Sequence, residues 1–218
     1  MDAVVILAGE PVEGFARALL RKKAAEGCLL IAADAGADRV AGAGLAPSLI
    51  VGDGDSLRGA FPGVPRQTFP ARKDFTDGEA ALELALSKCE GDVWLLGVLG
   101  GRPDHQLANL LLPLHCASPQ RVTVAGGDWQ GRYLGPGRHI ITGRPGDTVS
   151  LLPLTEVSGL SLQGFEYPLQ NYAARPGDSR TVSNVLAAAE AAVTVGGGCL
   201  LAIRIMSREE MNQYERNQ

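Results

Sequence analysis

Short, continuous apolar runs alternate with stretches of helical spacing through the first half of the chain. Residues 3–7 form one such run, closed by Ala8 and Gly9. Over 12–26 the apolar residues Phe15, Leu19 and Leu20 recur at helical spacing, with Arg21, Lys22 and Lys23 among them. The whole pattern predicts strands at 3–7, 28–33, 48–51, 93–99 and 121–125. It predicts helices at 12–26, 37–43, 77–90 and 105–115, the last ended or kinked at Pro113. Helix 77–90 is the clearest, with Ala81, Leu82, Ala85 and Leu86 on one stripe and Thr76 placed as its N-cap. Apolar strands alternating with helices imply a mostly parallel sheet covered on both faces, an α/β N-terminal domain.

The pattern changes after Trp129. Short apolar runs at 138–142, 148–154, 159–163, 191–195 and 199–205 are broken by Gly, Pro, Asn and Asp. Closely spaced turn signals of this kind predict an all-β sandwich or small barrel as the C-terminal domain. The boundary falls within 125–131, giving domains of 1–125 and 126–218, with 207–218 read as a polar, frayed tail.

Composition narrows the function classes. Among 218 residues, 45% are hydrophobic and 20% charged, enough to build a core and too apolar for general disorder. The net charge of −4 disfavours a broad phosphate-backbone footprint, so nucleic acid is not expected as a partner. Cys28, Cys89, Cys116 and Cys199 are far apart and form no Cys-x-x-Cys pair, which argues against a zinc site or disulfide framework. No signal peptide and no membrane-spanning stretch is read, so a cytoplasmic chain without a membrane partner is expected.

Four polar segments carry the candidate chemistry, and each falls beside a carboxyl end of a strand or the start of a helix. Ligands of open parallel sheets bind at such ends. Gly52-Asp53-Gly54-Asp55-Ser56 follows the third strand. Its two aspartates read either as a polar turn or as ligands for a hard cation such as magnesium. Asp34-Ala35-Gly36-Ala37-Asp38 follows the second strand and is either a tight turn or an anion-approaching loop. Lys73-Asp74-Phe75-Thr76-Asp77 precedes the clearest helix; capping accounts for Thr76 and Asp77 but leaves Lys73 and Asp74 without a role. Gly100-Gly101-Arg102-Pro103-Asp104-His105 supplies a guanidinium fork beside a helix start, where Asp104 reads equally as an N-cap and His105 as a surface or packing residue. Neither a G-x-x-x-x-G-K-[ST] loop nor a G-x-G-x-x-G after the first strand is present, so a polyphosphate would be held mainly through metal and side chains.

Taken together, in this order and spacing, the four segments resemble the thiamine pyrophosphokinase family, whose hallmarks are D-G-G-A, G-D-F-D-S, K-D-x-T-D and G-G-R-x-D-H. Gly159-Leu160-Ser161-Leu162-Gln163-Gly164, Tyr167-Pro168-Leu169 and Val182-Ser183-Asn184 look like the thiamine-binding half of that family. The resemblance implies a homodimer that uses ATP as co-substrate and Mg2+ to pyrophosphorylate the hydroxyl of thiamine, releasing AMP. It implies Asp53, Asp55 and Asp77 as catalytic and metal-binding residues. It implies that Asp34, Gly36, Ser56, Lys73, Asp74, Thr76, Arg102, Asp104 and His105 bind ATP, and that Ser183 and Asn184 contact thiamine.

The chain departs from the family pattern at several places. Ala35 replaces a glycine, which argues against a positive φ there, and Gly54 replaces a phenylalanine, removing an apolar anchor and loosening the loop. Val185 stands where a polar residue is common, and no aromatic residue lies between Tyr172 and Tyr214. A stacking partner for thiamine would then be sought among Trp129, Tyr133, Phe165 and Tyr167. Two other readings stand beside the resemblance: a pyrophosphokinase for another small primary alcohol such as a pterin, supported only by Gly54 and the missing C-terminal aromatic, and a non-catalytic sensor of thiamine or nucleotide, against which all the expected acidic ligands are present.

Overall fold

The computed structural model describes residues 1–70 and 72–216. The chain divides into two compact units, Met1–Gly127 and a second that begins at Asp128.

The first unit is built on a parallel sheet. Its elements run β1 (Ala3–Ile6), α1 (Gly14–Ala25), β2 (Leu29–Ala33), α2 (Gly36–Gly42), β3 (Leu49–Val51), β4 (Arg66–Gln67), α3 (Asp77–Lys88), β5 (Val93–Leu96), α4 (Pro103–Leu111) and β6 (Val122–Ala125). The strand order is β6-β5-β1-β2-β3-β4, and every adjacent pair is parallel. The chain moves outward from β1 to β4 and then returns to place β5 on the other side of β1. The order reverses between β1 and β5, so this is a doubly wound sheet with its switch point there. Val4, Val5, Ile31, Leu95 and Val124 are buried, as a sheet covered on both faces requires.

Three helix starts differ from expectation: α1 begins at Gly14 and not at 12, and the other two shift for local reasons. Helix α2 begins at Gly36, where a side chain could not fit: an ideal Cβ would sit 2.0 Å from the Ile6 carbonyl oxygen. Helix α4 begins at Pro103, whose fixed φ and missing N–H suit the first helical position, so Asp104 lies in the first turn and is not the N-cap. The helix passes into a 3-10 turn, Leu112–His115, before Pro113 can disrupt it.

The second unit is antiparallel. It comprises β7 (Trp129–Leu134), β8 (Gly137–Thr142), β9 (Thr148–Pro153), β10 (Val157–Gln163), β11 (Leu169–Ala174), β12 (Asn184–Val185), β13 (Glu190–Val195), β14 (Leu200–Ile205) and α5 (Arg208–Arg216). One sheet has the order β12-β9-β14-β7 and the other β11-β10-β13-β8. Leu134, Val149, Leu151 and Leu200 of the first share one core with Ile141, Leu160, Leu162 and Val193 of the second, which makes the unit a β-sandwich.

The expected frayed tail is instead helix α5, apart from residues 217–218, which lie outside the described residues. The helix is polar, and ion pairing holds it. Glu210 carboxylate oxygens lie 2.8 and 3.1 Å from the Arg204 guanidinium, whose Nη1 also donates to the buried Asp147 at 2.5 Å. Arg144 Nη2 donates to Gln213 at 2.7 Å.

Candidate active site

Three carboxylates from separate segments converge at the carboxyl edge of the parallel sheet. Asp34 ends β2, Asp53 follows β3, and Asp77 opens α3. One oxygen of each lies within 4.8 Å of the others. Like charges at that spacing repel unless a cation or a proton intervenes.

Each member is positioned differently. Asp34 is buried and holds φ at +45°, a left-handed conformation that aspartate tolerates better than most residues. Ala35 is right-handed, φ −59°, so the strain of the D-A-G-A turn sits on the acid and not on the position where the family glycine is replaced. Asp34 Oδ2 accepts the Ser56 N–H at 3.2 Å, while its buried Oδ1 has no hydrogen-bond partner among the described residues. Burial raises the Asp34 pKa above the ordinary carboxylate value, with the hydrogen bond from Ser56 opposing the rise. Asp77 is placed by the α3 N-terminus, where Thr76 Oγ1 accepts the Glu79 N–H at 3.0 Å and fixes the first turn.

Gly52 keeps the acids apart. At φ +143° its ideal Cβ would stand 3.1 Å from Asp34 Cβ and 3.2 Å from Asp77 Cγ, so only glycine lets β3 end between them.

The loop after β3 has polar anchors where the apolar one is missing. The Arg58 and Gly59 N–H groups donate to the two Asp38 carboxylate oxygens at 3.0 and 2.8 Å. With the Ser56 bond to Asp34, these tie the loop to the β2–α2 turn. Asp38, read from sequence as a first-turn acid, is thus the clamp that anchors this loop. Gly54 adopts φ +82°, a conformation open to glycine.

Lys73 reaches the cluster. Its largely buried ammonium lies 2.9 Å from Asp77 Oδ1 and 5.9 Å from the centre of the Phe75 ring. Asp74 and Thr76 are exposed beside it.

Asp55 stands outside the converging set. It is exposed and accepts the Ser56 hydroxyl at 2.9 Å, which holds its carboxyl below the ordinary value. Asp53 Oδ1 turns back to accept the Asp55 N–H at 3.1 Å.

Gly36 is accounted for by its approach to β1. The loop after β5 lies against the loop after β1, with the Glu10 N–H donating to the Leu99 carbonyl at 2.5 Å. From that loop Arg102, Asp104 and His105 are all exposed. Arg102 and Asp104 form a two-pronged pair at 2.6 and 3.1 Å, which drives the Asp104 pKa down to about 2.

In the second unit, Ser183 and Asn184 are handled differently. Ser183 is exposed at φ +57°, its N–H donating to Ser150 Oγ at 3.0 Å. Asn184 is buried, and its amide brackets Tyr167: Oδ1 accepts the Tyr167 N–H at 3.1 Å and Nδ2 donates to the Tyr167 carbonyl at 2.8 Å. Of the four aromatic candidates for stacking, Trp129, Tyr133 and Phe165 are core residues, whereas Tyr167 is 63% exposed. Sequence reading missed the clamp by Asp38, the spacing role of Gly52 and the grip of Asn184 on Tyr167. All three depend on contacts between residues distant in sequence, and no local pattern marks them.

The first unit sets three acids and a lysine at the carboxyl edge of a doubly wound sheet, where the ligands of such sheets bind, and the second unit is a β-sandwich. The family model "Thiamin pyrophosphokinase, catalytic domain" matches residues 20–125, and "Thiamin pyrophosphokinase, vitamin B1 binding domain" matches residues 138–200. Thiamine pyrophosphokinase of Bacillus subtilis (strain 168) is 30% identical over 198 residues, covering 82% of this chain and 88% of that one. The crystal structure of the Bacillus subtilis enzyme superposes with a TM-score of 0.82 at 27% identity, covering 94% of this chain and 99% of its own. That of the Geobacillus thermodenitrificans enzyme gives 0.82 at 28% identity, covering 95% and 99%. The chain belongs to the thiamine pyrophosphokinase family.

Proposed function

We propose that this chain transfers the pyrophosphoryl group of ATP to the hydroxyl of thiamine, giving thiamine diphosphate and AMP. The observation that carries the reading is the convergence of Asp34, Asp53 and Asp77 with Lys73 at one sheet edge, in a chain whose two halves match the two family domains. The thiamine oxygen bonds to the β-phosphorus of ATP as the bond from that phosphorus to the α,β-bridging oxygen breaks. AMP leaves with the bridging oxygen, and the hydroxyl proton passes to a carboxylate of the cluster, for which Asp77 is assigned.

A magnesium ion suits the donor set: hard oxygen ligands, one of them the buried and unpartnered Asp34 Oδ1. Asp53 and Asp77, with Asp34, would hold it, and Asp55 would join from the exposed side. When bound, such an ion neutralises charge on the phosphate oxygens. Lys73 supplies a fixed positive charge to the same phosphates from its seat on Asp77. Arg102, Asp104, His105, Asp74, Thr76, Ser56 and Gly36 are assigned to the nucleotide side. In the second unit, Tyr167 covers the thiamine ring, Asn184 holds Tyr167 in place, and Ser183 offers its hydroxyl. On this reading the enzyme is a cytoplasmic homodimer, supported by the family resemblance and tested by sedimentation equilibrium.

The test is direct. Purified protein should form AMP from ATP only when both thiamine and magnesium are present, and thiamine diphosphate should appear in equal amount. AMP formation that ignores thiamine, or none at saturating substrates, overturns the assignment.

A further inference from the structure

A second set of metal-ligating side chains lies in the first unit, made of residues that the reaction does not use. Glu79 and Glu83 stand four residues apart on α3, so both carboxylates leave the same helix face. His115 closes the 3-10 turn after α4. One ligand atom from each of the three lies within 4.8 Å of the others.

The gap between them is informative. Among the described residues, no hydrogen bond or ion pair joins His115 to either glutamate, and none of the three side chains has another hydrogen-bond partner. The separations therefore exceed a hydrogen bond. They are at most 4.8 Å, so an inward rotation of these half-buried and exposed side chains brings them within the roughly 4.2 Å that two ligands, each about 2.1 Å from one metal, can span. Two glutamates at this spacing repel and mildly destabilise the helix unless a cation sits between them.

The frame behind the cluster is firm. Ala81, Leu82 and Ala85 bury the opposite side of α3, and Pro113 is buried two residues before His115. A site needs its ligands on rigid elements more than it needs depth.

We propose that Glu79, Glu83 and His115 form a surface site for a divalent transition metal, with zinc, cobalt, nickel or copper as its class. The imidazole decides the class. Magnesium takes oxygen ligands almost exclusively, whereas a nitrogen with two carboxylates suits zinc and its neighbours. This cation site is separate in residues and in chemistry from the carboxylate cluster of Asp34, Asp53 and Asp77.

The experiment is a calorimetric zinc titration of the full chain with magnesium held saturating, so that the catalytic carboxylates are occupied. Wild type should show a zinc-binding event. His115→Ala and Glu83→Gln should each weaken it by at least about tenfold, as loss of one ligand among three implies, while magnesium-dependent activity stays unchanged. A measurement without substitutions guards against a variant that fails to fold: substoichiometric cobalt should broaden the ring-proton signals of His115 before those of His105 and His139. No zinc event in the wild type, an unchanged isotherm in His115→Ala, or cobalt broadening that reaches another histidine first overturns the site.

Discussion

Lys73 and Asp77 meet at 2.9 Å, four residues apart, where a loop becomes helix α3. The lysine side chain is 9% exposed and its partner 24%, so the pair is shielded more than a surface ion pair. The lysine balances Asp77, and under the proposed function the same cation meets the nucleotide phosphates. Lys73→Met keeps the apolar stem and removes the charge. Activity measured as kcat/KM for ATP should fall by roughly 10²-fold or more, in the range seen when one electrostatic contact is lost. Circular dichroism should stay native, and an activity within twofold of wild type would remove Lys73 from the mechanism.

Asp34 should respond to pH in a particular direction. Its pKa is raised by burial, so the folded protein binds that proton more tightly than the unfolded chain does. The protonated acid therefore favours folding at low pH, and the advantage is lost as pH rises through the raised pKa. Asparagine removes the charge and tolerates the left-handed conformation. Without metal, Asp34→Asn should melt above wild type at neutral pH, and the difference should vanish toward the ordinary carboxylate range. Its pyrophosphoryl transfer should drop severely. Thermal melts across pH check the first statement, and a lower melting temperature at neutral pH would contradict it.

Gly52 separates Asp34 from Asp77, and a methyl there enters the cluster. Gly52→Ala combines that intrusion with φ +143°, a backbone region costly for alanine by about 1–3 kcal/mol. The expected result is a lower melting temperature together with a weaker magnesium dependence, seen as a rise of about tenfold in the magnesium concentration for half-maximal rate. That factor corresponds to about 1.4 kcal/mol of metal binding. A variant that is destabilised but titrates magnesium as wild type does would confine Gly52 to folding.

The strands of the parallel sheet were legible because burial on both faces writes them as unbroken apolar runs, as at Val4, Val5 and Ile6. Strand β4 was not, since Arg66 and Gln67 form a two-residue edge strand with both residues exposed. Strand β11 carries Gln170 and Asn171 at its exposed positions and shows no apolar run. Helix α5 has almost no apolar face, and what fixes it is the Arg204 and Glu210 pair, a tertiary contact. In the site, Asp34, Asp53 and Asp77 all stood out as acids at element ends. The register of β2 beside β3, which sets Ala33 opposite Val51, is what brings Asp34 alongside Asp53.

Asp147 is the buried partner of Arg204, its side chain fully hidden, with Oδ2 also accepting the Arg144 N–H at 2.9 Å. Asp147→Asn leaves the Arg204 guanidinium facing a neutral amide on its buried side, with Glu210 as its remaining carboxylate. The expected loss is about 3 kcal/mol, the low end for breaking one side of a buried pair, because Glu210 still balances the charge. Glu210→Gln should cost less, because Glu210 is the more exposed partner, 12% against 0%. Urea titrations of both variants test the order; equal losses would show that the latch and not the buried charge dominates.

Under the proposed function, Asn184 and Tyr167 serve thiamine recognition and not the phosphate chemistry. The Asn184 amide holds both backbone polar groups of Tyr167, and Tyr167 alone among the four aromatic candidates is exposed. Asn184→Ala should leave those backbone groups without partners, costing about 1–3 kcal/mol in stability. It should free the Tyr167 segment as well. Tyr167→Ala removes the ring and leaves the clamp intact. Both variants should raise the KM for thiamine by about tenfold, equivalent to about 1.4 kcal/mol, with the KM for ATP within twofold of wild type. Tyr167→Phe should behave as wild type, because stacking needs the ring and not the hydroxyl. If Tyr167→Ala leaves the thiamine KM unchanged, the ring does not cover the substrate. If Asn184→Ala alone raises it, the amide itself is the thiamine contact, through its second N–H.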